Sequence, residues 1–113
     1  MNVEVDRQRL SRNLRMMVGE RSPHSGAQHL AAVEKFIKAE FKSYGLDAEI
    51  DSFSYADEIF HNIVDRLGMP RSDPVIILGA HFDTVVGTPG ADDNASGVAV
   101  LLVYSGSVID YFS

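Results

Sequence analysis

A chain of 113 residues, 45% hydrophobic and 23% charged with no low-complexity tract, has the length and balance of one globular domain with a modest core. Its net charge of -6, from 16 acidic against 10 basic residues, argues against nucleic acid as the main partner, because no basic patch is available to displace counterions from phosphates. It has no cysteine, which excludes disulfides and thiolate-held zinc, so that any metal must sit on His and carboxylates.

Met1 to Arg15 is charged throughout and holds no apolar h-region, so no signal peptide is expected. Within it and just beyond, Leu10, Leu14, Met17 and Val18 recur at helical spacing and predict an amphipathic helix over Val5 to Val18. Gly19 to Gly26 reads as a loop, with Ser22-Pro23 and Ser25-Gly26 as its turn signals. Leu30, Val33, Phe36, Ile37 and Phe41 then form one stripe, predicting a helix from Ala27 to Tyr44 with Gly45 as its left-handed C-terminal cap. On that helix Glu34 and Lys38 read as a surface pair. Asp47 to Tyr55 and Phe60 to Leu67 carry clustered β-formers and read as two strands, in an antiparallel arrangement if they are neighbours. Gly68 to Pro74 reads as a turn-rich connection. Val75 to Ala80 runs apolar without alternation, the pattern of a central strand buried on both faces. Ala95 to Val103 reads as a buried helix that decays into Tyr104-Ser105-Gly106-Ser107, leaving Val108 to Ser113 apolar-rich and without a clear partner. The longest apolar run, Val98 to Tyr104, is far short of a membrane span, so the chain as written reads as soluble and cytoplasmic, with no membrane partner. Helix, helix, strands and helix in that order indicate an α/β fold.

The chemistry concentrates at the carboxyl end of the apolar run, where open α/β sheets bind their ligands. There stand His81-Phe82-Asp83-Thr84 and then Gly90-Ala91-Asp92-Asp93-Asn94-Ala95-Ser96-Gly97. Imidazole can ligate zinc through one nitrogen while a carboxylate accepts the proton on the other, fixing tautomer and ring orientation. A further carboxylate twelve positions on, in a Gly-rich turn before a helix, can bridge two cations. Neutral imidazole and oxygen donors suit zinc, with cobalt or manganese as substitutes. His24, His29 and His61 read as loop or surface residues, His61 with Asn62 at a strand start.

The run Gly79 to Gly97 resembles the signature of the dinuclear zinc aminopeptidases of peptidase family M28, which include bacterial leucyl and aminoacyl aminopeptidases and glutamate carboxypeptidase-like enzymes. The weaker similarity spans Arg21 to Leu102 and takes in Ser25-Gly26, the helix Ala27 to Tyr44 and Asn62-Ile63-Val64. The resemblance implies that His81 is a terminal ligand of one zinc, that Asp93 bridges both ions, and that Asp83 orients His81 without binding metal. Asp92 would be a neighbour only. It also implies a cis peptide between Asp93 and Asn94, and the three-layer αβα zinc-exopeptidase fold (phosphorylase/hydrolase-like) with a mixed sheet. In that reading residues 1–113 are a single partial peptidase domain: an N-terminal helix over 1–20, a family-like core over 21–103 and a divergent tail over 104–113.

The family resemblance further implies a Glu-Glu pair supplying base and ligand, then another acidic ligand and a distal His. This sequence has no Glu-Glu, and after Asp93 no Asp, Glu or His except Asp110. A shortened gene, a frameshift or a deliberate fragment each gives that picture. The expected function is therefore a zinc-dependent exopeptidase acting on peptide or amino-acyl substrates, aminopeptidase-like, incomplete and inactive alone. The alternative from another class is a non-catalytic fragment that associates through an exposed sheet edge. A one-zinc acyltransferase of the glutaminyl-cyclase type shares the ancestry and is a third reading.

Overall fold

The Asp6 carboxylate accepts a hydrogen bond of 2.9 Å from the Arg9 amide, capping the first helix of the computed structural model, which describes residues 5–68 and 75–112 and the side chains of 5–68 and 75–109. This helix, α1, is Arg7–Met17. Met17 is fully buried while Leu10 and Leu14 pack partly buried beside it, so the apolar stripe faces the core as its spacing predicts. Val18 falls outside the helix as its C-cap.

The second helix, α2, is Ala27–Ser43. Its buried residues Val33, Ile37 and Phe41 come from the expected stripe. Gly45 at φ +83° closes it: the Leu46 amide reaches back to the Phe41 carbonyl at 3.0 Å, and the Gly45 amide to Lys42 at 3.0 Å. That is the paired bond of a Schellman motif, which satisfies carbonyls the helix leaves free. Glu40, with its side chain 7% exposed, joins α2 to α1 through Arg9 at 3.1 Å and through Arg12.

Next come the strands β1 (Glu49–Tyr55) and β2 (Glu58–Val64), paired antiparallel with Tyr55 opposite Glu58 and Phe53 opposite Phe60. Ala56 (φ 52°) and Asp57 (φ 64°) form the two-residue connection, and two positive φ values match the right-handed twist of the flanking strands. Phe53 and Phe60 stack with centroids 5.6 Å apart. His61 lies within β2 rather than at its start, 2.7 Å from Glu34 Oε1, so Glu34 answers to β2 and not to Lys38.

The structure corrects the expected central strand. Val75 to Ala80 has no regular secondary structure, and Val75, Ile76 and Ile77 are 79%, 87% and 86% exposed. A strand is stabilised by neighbours that accept and donate along both edges, and among the described residues the sheet consists of β1 and β2 alone. The fold is thus mixed α/β with a two-stranded antiparallel sheet. The connection expected over Gly68 to Pro74 lies, beyond Gly68, outside the described residues.

The last helix, α3, is Ser96–Phe112 and does not decay at Ser105-Gly106-Ser107. Within it Ser105 and Ser107 donate their hydroxyls to the carbonyls of Leu101 and Val103, at 2.8 and 3.2 Å, the back-bond by which a mid-helix serine satisfies its hydroxyl. Gly106 is buried against the Tyr44 ring, where a Cβ would lie 2.6 Å from Cε1. What reads locally as a breaker is the close-approach point of α3 on the end of α2. Ala95, Val98, Ala99 and Leu102 complete the core with the stripes of α1 and α2, while Val100 and Tyr104 stay open to solvent. No helix among the described residues is long and apolar enough to cross a membrane.

Candidate metal centre

Residues 81–84 alternate. His81 and Asp83 are exposed, whereas Phe82 packs on the core and Thr84 is buried. The alternation sets the imidazole and the carboxylate on the same, solvent side. His81 Nδ1 lies 3.2 Å from Asp83 Oδ1 and 3.3 Å from the Asp83 carbonyl oxygen. His81 Nε2 lies 2.9 Å from Asp93 Oδ1. The three residues singled out from the sequence therefore meet, with side chains 55%, 59% and 87% exposed for His81, Asp83 and Asp93. Asp92 makes no side-chain contact in this group.

Asp93 reaches His81 from a wide turn over Ala91–Ala95 that feeds α3. Asp93 (φ -116°, ψ 88°) and Asn94 (φ -137°, ψ 36°) leave helical geometry there, and the peptide between them is cis, as the resemblance implied. Gly90 opens the turn in the left-handed region, and its carbonyl accepts from the Ala95 amide at 3.0 Å.

The pair has a definite chemical meaning. If Nδ1–H donates to Asp83, Nε2 turns a lone pair toward the Asp93 carboxylate. Two acceptors do not sit 2.9 Å apart unless a proton or a cation lies between them. An imidazole nitrogen and a carboxylate oxygen are the donors zinc takes when thiolates are absent. His81 and Asp93 fit two positions of such a shell. No group of three or more His, Cys, Asp or Glu side chains converges on one point among the described residues.

The residue that sequence reading passed over is Arg21. It is fully buried, and its guanidinium donates to five backbone carbonyls. Nε reaches Phe82 at 2.8 Å; Nη2 reaches Gly90 at 2.9 Å; Nη1 serves Met17, Gly19 and Pro89. Its own amide donates to Thr84 Oγ1 at 2.8 Å and its carbonyl accepts from the Thr84 amide at 3.2 Å. Burial pushes the guanidinium below its ordinary pKa, and the negative charge of Asp83 opposes that shift. Beside it the Glu20 carboxylate accepts from the Ser25 hydroxyl and from the Gly87 amide, which hold its pKa below the usual value. The sole local signal was a Glu-Arg pair inside a predicted loop. Apart from Met17, Gly19 and Ser25, the partners lie more than sixty residues away, beyond the reach of periodicity.

Comparison with known proteins bears on this segment directly. The model of peptidase family M28 matches residues 62–110. The matched stretch covers less than half of the chain. It runs from within β2 to near the end of α3 and contains His81, Asp83 and Asp93. The uncharacterized protein YfbL of Escherichia coli (strain K12) is 41% identical over 76 residues, an alignment covering 60% of this chain and 23% of that relative. The chain thus spans about a quarter of the length of the curated relative it matches.

Proposed function

We propose that this chain contributes the His81–Asp93 half of a dinuclear zinc site to a zinc-dependent exopeptidase of the aminopeptidase type. The observation that carries the reading is the 2.9 Å approach of His81 Nε2 to Asp93 Oδ1, with Nδ1 engaged by Asp83, inside the M28 stretch. His81 and Asp93 would hold the metal, and Asp83 would keep the imidazole in the tautomer that leaves Nε2 free. Bound zinc would supply Lewis-acid activation of water and of the scissile carbonyl. The side chains themselves bind, orient and leave the site open: Asp93, at 87% exposure, can be reached by both an ion and a peptide substrate. Residues 1–113 form one partial peptidase domain of the three-layer αβα, mixed-sheet class. On its own it holds zinc weakly and does not turn over peptides, since a catalytic zinc takes three protein ligands and a proton-transfer base contributes about 10²–10⁴ in rate.

Calorimetric titration of the purified chain with zinc tests the site, with His81→Ala and Asp93→Ala beside the wild type. Metal uptake that falls in both variants is the expected result, with no hydrolysis of amino-acyl anilides. Uptake indifferent to both substitutions would sink the ligand assignment, and zinc-dependent hydrolysis lost in both would sink the inactivity.

A second reading is favoured by one specific observation. The exposed run Val75 to Leu78 borders an apolar groove lined by Leu78, Gly79, Gly97, Val100, Leu101 and Tyr104. Such a surface pairs two copies of the chain, and the fragment then serves association rather than catalysis. Light scattering distinguishes the readings: concentration-dependent dimers support association, and a monomer across the micromolar range excludes it.

A further inference from the structure

We infer that Arg21 is a positioning residue for the His81–Asp93 pair, its guanidinium fixing the separation of the two segments that carry them. The inference rests on the proposal that this pair holds metal. One segment is gripped at Phe82, the residue next to His81, and the other at Pro89 and Gly90, just before the turn that carries Asp93. A third set of bonds, to Met17 and Gly19, anchors the same group to the end of α1. The backbone pairing of Arg21 with Thr84, and of the Gly19 amide with the Pro89 carbonyl at 2.8 Å, adds a second connection between the same segments.

The choice of side chain is the informative part. A buried apolar residue of similar volume fills such a site without the cost of desolvating a charge. It cannot set the distance between two carbonyls on separate segments. Lysine keeps the charge but is a point donor on a flexible stem, whereas the planar fork of arginine addresses several acceptors at fixed angles. Gly90 leaves the room this requires: a Cβ there would lie 2.7 Å from Arg21 Nη2. The ligand side chains are more than half exposed, so little packing around them could otherwise hold their spacing.

The test compares the wild-type chain with Arg21→Lys and Arg21→Met by two readouts, amide exchange without metal and visible absorption during cobalt(II) titration. Arg21→Lys is the milder variant, and wild-type exchange across α2 and the β1–β2 hairpin shows that it has folded. Expected is exchange faster by about tenfold or more at residues 82–95, with those other amides unchanged. Cobalt affinity falls by about 10–100-fold, as for residues that orient ligands without touching metal, and the band shape changes. Exchange and cobalt binding both equal to wild type would overturn the inference, as would a uniform loss of protection in both variants, the mark of a purely structural role. A wild-type chain with no cobalt band sensitive to His81→Ala refutes the metal proposal instead. In that case exchange at 82–95 alone decides whether Arg21 fixes the two segments.

Discussion

Replacing Gly90 by alanine strikes the junction of the whole site. Gly90 sits at φ 61°, ψ 37°, where a non-glycine residue costs about 1–2 kcal/mol. The added Cβ would lie 2.3 Å from Thr84 Cγ2, 2.7 Å from Arg21 Nη2 and 2.9 Å from the Asp93 carbonyl oxygen. The last of these is backbone and cannot swing away, so overpacking adds about 1–3 kcal/mol. Gly87 supplies the control within the same loop: at φ +85° it pays a similar conformational cost, but nothing lies within 4 Å of its Cβ position. Both substitutions restrict the unfolded chain equally, so that contribution cancels in the comparison. Gly90→Ala is therefore expected to unfold at lower urea than Gly87→Ala, by about 1–3 kcal/mol after conversion through a common m-value. Against the about 5–15 kcal/mol of a typical domain this is a large fraction. Equal midpoints for the two variants would refute the close packing of Thr84, Arg21 and the Asp93 turn.

Acid should release the Glu20 link. A carboxyl whose pKa is lowered in the folded chain stabilises it above the ordinary carboxylate range, and that contribution is lost as pH falls through the lowered value. Protection of the Gly87 amide is expected to drop on that acid side, and Glu20→Gln, followed by exchange at the same pH values, should remove the dependence; an unchanged profile would contradict the link. Glu40→Gln weakens a nearly buried carboxylate shared by Arg9 and Arg12, whose side chains are 31% and 47% exposed. Because both arginines keep access to water, the expected loss is about 1–2 kcal/mol in urea melts, below the about 3–5 kcal/mol of a fully buried pair. A loss under about 0.5 kcal/mol would show that the pair is solvated in effect.

Where contacts are local, the residues alone were sufficient. The stripes of α1 and α2, the Gly45 cap and the adjacent pairing of β1 with β2 depend on neighbours within a few turns, and these repeat along the chain. His81, Asp83 and Asp93 were singled out chiefly because the run Gly79 to Gly97 resembles a family signature, and their proximity has a local cause: the alternation over 81–84 sets the first two on one side, and the Gly-rich turn returns the third within twelve residues. Tertiary structure decided the rest. Val75 to Leu78 has the composition of a buried strand, but burial is conferred by neighbouring strands and not by composition. Ser105-Gly106-Ser107 reads as a helix end until the Tyr44 ring fills the space where a side chain would be. Arg21 looks like one more surface cation in a loop, and is buried through bonds to carbonyls that lie up to sixty-nine positions away. A guanidinium can be buried only where several acceptors converge from separate segments, and no local pattern in a sequence records that convergence.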